Sequence, residues 1–265
     1  MRRIGVLAGL ISTTLVGGLL AGTAACSSNS HSSSLSQPSQ TSGSLVVFAA
    51  ASLKSAFTQI SSQFKADNPG VSVDVEFAGS SELATQLTQG ANADVFASAD
   101  IAQMDTVAKA GLLASTPTSF ASNTLVIVTA VGNPKMIGSF ADLAKPGVNV
   151  VVCQRPVPCG SATQRIEDAT RVHLNPVSEE LNVIDVLNKV TTGQADAALV
   201  YVTDARSAAG KVTTINFPEA AGAVNVYPIA VLKKASVPTL AKKFQTMVTG
   251  EAGQQILAQS GFVKP

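Results

Sequence analysis

The chain has 265 residues, 46% of them hydrophobic and only 13% charged, where about a quarter charged is ordinary for a globular protein. Its 18 basic and 17 acidic residues give no basic field for nucleic acid or anionic lipid, and its two histidines are too few for a His-rich metal cluster. A body with a substantial core remains, and any anionic partner must be held by local geometry instead of bulk attraction.

In chain order, Arg2 and Arg3 precede an apolar stretch from Ile4 to about Leu20 and then small residues, which reads as a secretory signal over residues 1–25. The glycines and hydroxyl residues inside that stretch weaken a membrane-spanning reading. Thr23-Ala24-Ala25-Cys26 looks like a bacterial lipobox, in which Cys26 becomes the lipid-modified first residue; Thr23 stands where an aliphatic residue is usual, and simple secretion is the alternative. Residues 26–43 are nearly all Ser, Gln, Thr, Asn, Gly or Pro, a composition that cannot bury enough apolar surface to order itself and suits a tether. Loss of Arg2 and Arg3 with the leader leaves 16 basic against 17 acidic residues.

About 220 residues then alternate short apolar runs with amphipathic ones. Strands are expected at Leu45–Phe48, Val71–Phe77 and Asp94–Ala97, with helices at Leu53–Ala66, Glu82–Gln89 and Ile101–Ala110 between and after them. A second set follows: strands at Thr124–Ala130, Val148–Val152, Ala197–Val202 and Val212–Phe217, and helices at Ser139–Ala144, Gly160–His173 and Val183–Thr191. From Val237 onward the pattern is helical. This order predicts an α/β protein with mostly parallel sheets and right-handed crossovers.

Three strand-to-helix junctions share small residues and hydroxyls: Phe48 to Lys54 around Ser52, Phe77 to Leu83 around Ser80 and Ser81, and Pro156 to Ala162 around Cys159. Helix N-termini present unpaired N–H groups and partial positive charge, so each junction is a candidate anion site, although a serine N-cap is also ordinary helix chemistry. Ser52 is expected at an N-cap. Cys153 and Cys159 are a candidate disulfide in an oxidising compartment, the alternative being two reduced thiols. His31 falls in the tether and His173 after a helix, so no general base or metal cluster is apparent. No nucleophile elbow or phosphate-binding glycine loop follows a strand. Asp94, Asp100 and Asp204 read as caps, hinge contacts or solvated groups.

Four ordered motifs carry a family resemblance: Phe48-Ala-Ala-Ala-Ser-Leu53, Phe77-Ala-Gly-Ser-Ser-Glu-Leu-Ala84, Ala93-Asp-Val-Phe-Ala-Ser-Ala-Asp100 and Ala198-Leu-Val-Tyr-Val-Thr-Asp-Ala205. Together they resemble the periplasmic molybdate-binding proteins of ABC importers, from about Ser44 to Pro265. The resemblance implies a two-lobed type II periplasmic-binding fold hinged by crossover strands, with residues 44–123 and 226–265 in one lobe and 124–225 in the other. It also implies an oxyanion-binding set: the hydroxyls of Ser52, Ser80 and Tyr201, and the backbone N–H groups of Cys159 and Val183. Cys159 stands where alanine is expected, and a Cys153–Cys159 bridge would fix the intervening loop and aim the Cys159 N–H.

Such a set is uncharged, so its field comes from oriented dipoles. A donor-only cage suits a dianion without protons, such as molybdate or tungstate, and leaves a partly protonated phosphate mispaired. The implied protein is a monomeric, membrane-anchored receptor without cofactor or catalysis, delivering the anion to ABC permease subunits. The alternatives are a receptor for sulfate or another tetrahedral oxyanion and, further off, an extracellular enzyme. A ferric receptor would need more than Tyr201 and Tyr227, and a transcription regulator would carry a helix-turn-helix.

Overall fold

The computed structural model describes residues 42–265. The expected signal, Cys26 and the tether up to residue 41 lie outside the described residues.

The first sheet has the order β2-β1-β3-β10-β4, built from Val71–Ala78 (β2), Gly43–Ala50 (β1), Val95–Ala97 (β3), Asn225–Val231 (β10) and Thr118–Asn123 (β4). The second has the order β7-β6-β8-β5-β9, from Ser178–Glu180 (β7), Val150–Cys153 (β6), Ala197–Tyr201 (β8), Leu125–Thr129 (β5) and Thr213–Ile215 (β9). In each sheet one strand runs against the rest: β10 is antiparallel to β3 and β4, and β5 to β8 and β9. Each lobe is therefore a mostly parallel sheet flanked by helices. The chain crosses between the sheets twice, at Thr124 and between β9 and β10.

β1 is buried on both faces, with Leu45, Val47 and Ala49 fully inaccessible, as a central parallel strand requires. On one side it packs against α1 (Lys54–Asp67), which buries Phe57, Ile60 and Phe64, and α7 (Pro238–Thr249), which buries Leu240, Phe244 and Val248. On the other side α2 (Ser80–Thr88) and α3 (Ile101–Lys109) contribute Leu83, Leu87, Met104 and Val107. Each such aliphatic or aromatic side chain is worth about 1.5–3 kcal/mol on full burial. The second sheet has its own core, with Val150, Leu199, Ile166 of α4 (Pro158–Thr170), and Val186 and Val190 of α5 (Val183–Thr191).

Three strands were not expected from sequence: β4, β7 and β10. β10 contains Pro228, which cannot donate to a ladder and ordinarily marks an edge. Here it sits inside the sheet at a register shift between Tyr227 and Pro228, where a bulge absorbs the missing N–H. The expected helix at Ser139–Ala144 is a single 3-10 turn over Ala141–Ala144.

Candidate functional site

The register aligns the carboxyl ends of the parallel strands. Ala50 of β1 pairs with Ala78 of β2, and Ala49 with Ala97 of β3, so the loops that follow all leave one edge of the first sheet. The loops after β6 and β8 leave the corresponding edge of the second. Ligands in open α/β sheets bind at such edges. Here the two edges face each other across a small cavity, about 10 Å³, lined by Ala50, Ala51, Ser52, Gly79, Ser80, Ala99, Val157, Pro158, Cys159, Asn182, Val183 and Tyr201. The five expected residues thus line one space, and none of the lining side chains is charged.

On the first lobe's wall, Ser52 lies in a 3-10 turn, Ala51–Leu53, and α1 starts only at Lys54 with Leu53 as its N-cap. The expected N-cap role is therefore wrong: the small residues let the chain turn tightly, and the Ser52 hydroxyl is left free to meet the Tyr227 hydroxyl at 2.9 Å. Ser80 is the first residue of α2 after Gly79, and its hydroxyl oxygen accepts the Ala99 N–H at 2.9 Å. With that lone pair taken, its own hydrogen is free for the cavity.

On the second wall, Pro158 and Cys159 open α4, with Val157 as N-cap. Val183 opens α5 after Asn182, whose side chain caps the Asp185 N–H. The first-turn N–H groups of both helices, those of Cys159 and Val183 included, have no carbonyl to meet within their own helix. Cys153 and Cys159 are joined by a disulfide with their Cα atoms 5.7 Å apart, which ties the end of β6 to the first turn of α4. Tyr201 ends β8 and caps the short α6 (Val202–Ser207). Its phenol is 1% exposed, and its oxygen accepts from Asn225 Nδ2 at 2.7 Å.

Burial, with Tyr227 and Asp100 nearby, pushes the Tyr201 phenol well above its ordinary pKa. Burial raises Tyr227 likewise. Both are neutral donors in any physiological medium. The Tyr227 ring is held edge-on by Phe120, Phe262 and Tyr201, so the first lobe's aromatic core backs the site.

Behind Tyr201, Asp204 is 5% exposed, and burial pushes its carboxyl up to about 7 against the opposing hydrogen bond from the Tyr201 N–H. An unfolded aspartate titrates near ~3.9, so between that pH and about 7 the native state holds a proton that the unfolded state has lost. Stability from this group falls as pH rises through that window and is level above it. Asp204→Asn keeps an oxygen for the Tyr201 N–H and removes the slope. Urea denaturation should find it equal to wild type near pH 4 and more stable near pH 8, by an amount on the order of a few kcal/mol. Parallel stability curves for the two proteins would sink this assignment.

The lobes touch around the cavity. Gln103 Nε2 of α3 donates to the Pro156 carbonyl at 3.0 Å, and Gly79 lies against the Leu181 carbonyl. Sequence reasoning passed over four participants. Gly79 was visible only as a small residue in a motif. Tyr227 and Asn225 lie in the strand hidden by Pro228, and Arg165 looks like a solvated helix residue until its partner across the lobes is known. Asp94, Asp100 and Asp204 do act as local caps and ties; Asp94 accepts from the Val46 and Ser236 N–H groups. Among the described residues there is no cluster of acidic, His or Cys side chains suited to a metal, and no helix long and apolar enough to cross a membrane.

A family model for bacterial extracellular solute-binding proteins matches residues 45–263. The molybdate-binding protein ModA of Mycobacterium tuberculosis is 70% identical over 265 residues, covering all of both chains. The molybdate-binding protein ModA of Escherichia coli is 33% identical over 233 residues, covering 83% of this chain and 89% of that one. Among solved structures, the periplasmic molybdate-binding protein of Azotobacter vinelandii superposes with a TM-score of 0.72 at 20% identity, over 83% of this chain and 99% of that one, a likeness of fold.

Proposed function

The chain belongs to the bacterial extracellular solute-binding proteins, and we propose that it captures molybdate, and tungstate equally, between its two lobes and delivers the anion to the membrane subunits of an ABC importer. The observation that carries this reading is the cavity itself: it is small, is built from both lobes, and is lined by hydroxyls and helix-start N–H groups with no charged side chain. Ser52, Ser80 and Tyr201 donate through oxygen, and Cys159 and Val183 through backbone nitrogen. Every oxygen of a proton-free dianion can then meet a donor, whereas the proton of hydrogen phosphate would face another hydrogen. A ferric receptor would need a tyrosine pair and carboxylates, and Tyr201 is the one tyrosine lining the cavity, with no carboxylate beside it. On this reading the protein binds its ligand without turnover or cofactor. We place it as a monomer held to the outer face of the membrane through lipid on Cys26.

Thermal unfolding of the mature chain against molybdate, tungstate, sulfate and phosphate tests this. A ligand at a hundred times its dissociation constant adds about 2.7 kcal/mol of stability. Molybdate and tungstate should raise the midpoint and phosphate should not. A shift with sulfate and none with molybdate would overturn the substrate assignment.

The disulfide makes a second outcome testable. By closing the Gln154–Pro158 loop it ties the end of β6 to the start of α4, and on this reading it aims the Cys159 N–H at the anion. Reduction should weaken anion affinity while the first lobe's core is untouched. An affinity in Cys153→Ser equal to that of the oxidised wild type would show that the bridge does not aim this donor.

A further inference from the structure

Asn225 is 2% exposed at the start of β10, where the chain re-enters the first lobe. Its Oδ1 accepts from Arg165 Nη2 of α4 at 2.6 Å. Its Nδ2 lies 3.0 Å from the Ala99 carbonyl of the first lobe, 3.2 Å from the Pro158 carbonyl of the second, and 2.7 Å from the Tyr201 hydroxyl oxygen. Carbonyl oxygens only accept and a guanidinium only donates. The amide can therefore face only one way, with nitrogen toward Tyr201. The amide nitrogen has two hydrogens for three acceptors; its shortest contact, 2.7 Å, gives one to the phenol oxygen, which must send its own hydrogen elsewhere, and the two carbonyls share the other. The neighbouring Tyr227 hydroxyl, which also meets Ser52, has a lone pair that can accept it, but a dianion in the cavity outcompetes a neutral phenol for that hydrogen.

Resting on the molybdate reading above, we infer that Asn225, oriented by Arg165, is the residue that makes Tyr201 an obligate donor and so sets the site's preference for oxyanions without a proton. The polarity runs Arg165 to Asn225 to Tyr201 to ligand. The same amide bridges Ala99 and Pro158, and the Ala99 N–H holds the Ser80 oxygen. Lobe closure and donor orientation are thus set at one residue. Arg165 also donates to the Ala223 carbonyl at 3.2 Å, which anchors the guanidinium to the crossover segment.

The test is calorimetry of molybdate and phosphate at neutral pH on wild type, Asn225→Asp, Tyr201→Phe and the double variant. A carboxylate at position 225 accepts the Tyr201 hydrogen and turns a phenol lone pair into the cavity. Molybdate affinity should fall roughly ten- to a hundredfold, and the ratio of molybdate to phosphate affinity should fall with it. In the Tyr201→Phe background the same substitution should leave that ratio unchanged, because no hydroxyl remains to be turned. An equal loss for both anions in Asn225→Asp, or a ratio change of the same size without the hydroxyl, would overturn the inference.

Arg165→Gln guards against a folding defect, since it keeps both lobe-bridging bonds of Asn225 while removing the guanidinium's bonds to the Asn225 Oδ1 and the Ala223 carbonyl. It should lower the ratio in the same direction by a smaller factor, and an unchanged ratio would overturn the inference. A wild type that binds sulfate and not molybdate would refute the substrate reading alone, and the same variants would then be compared with sulfate, which is also proton-free. A wild type that binds neither would refute both.

Discussion

Replacing Gly79 with alanine should remove most of the anion affinity while leaving the ligand-free protein at least as stable as wild type. The reason is where the missing Cβ would go. Gly79 has φ −62° and ψ 136°, an extended conformation open to any residue, so this glycine is not needed for backbone freedom. A Cβ there would run into the Leu181 carbonyl oxygen on the opposite lobe, with the Val157 side chain close behind. Carbonyl backbone cannot turn aside as a side-chain tip can, so the strain is relieved by holding the lobes apart. Overpacking costs typically 1–3 kcal/mol, hence a dissociation constant raised roughly ten- to a hundredfold. With the lobes open nothing is crowded, and the loss of a glycine from the unfolded chain adds about 0.4–1 kcal/mol to stability. Calorimetry with molybdate, paired with urea denaturation of the ligand-free form, separates the two effects. Affinity within about twofold of wild type would show that Gly79 does not gate closure.

Much of this was legible in the sequence, for a physical reason. β1, β2 and β3 are short apolar runs bounded by small residues, and periodicity reports them well. The hydroxyls of Ser52, Ser80 and Tyr201 stand at or just past the ends of apolar strands, so reading the strands places these candidate donors. β10 was hidden by Pro228, because a proline argues against a central strand until the bulge that accommodates it is seen. β4 and β7 are polar at most positions and gain their order from neighbours. Asn225 and Arg165 are separated by 60 residues, and only the crossover of the chain brings them together. What local pattern cannot carry is the set of contacts made between lobes, and those contacts decide closure and donor direction.

The same distinction governs the second large effect, at Gly160. This residue lies in the first turn of α4, one position after Cys159, and a Cβ on it would meet the Gln154 carbonyl and the Cys153 carbonyl oxygen. Both belong to the loop that the disulfide closes. That loop is pinned further by the Val157 N–H on the Gln154 carbonyl at 3.0 Å and the Gln154 N–H on the Glu180 carbonyl at 2.9 Å. Neither side of the contact can retreat, so Gly160→Ala should cost roughly 3 kcal/mol of stability, unlike the alanine at Gly79. It should also weaken anion binding, since any shift of the α4 start carries the Cys159 N–H with it. The bridge makes the strain worse, because an open loop could move outward. In the Cys153→Ser, Cys159→Ser background the same substitution should therefore be milder by about 1 kcal/mol, a non-additivity that a double-mutant cycle in urea reads directly. Equal costs with and without the bridge would mean that backbone hydrogen bonds alone hold the loop, and that the disulfide is not what fixes this wall of the cavity.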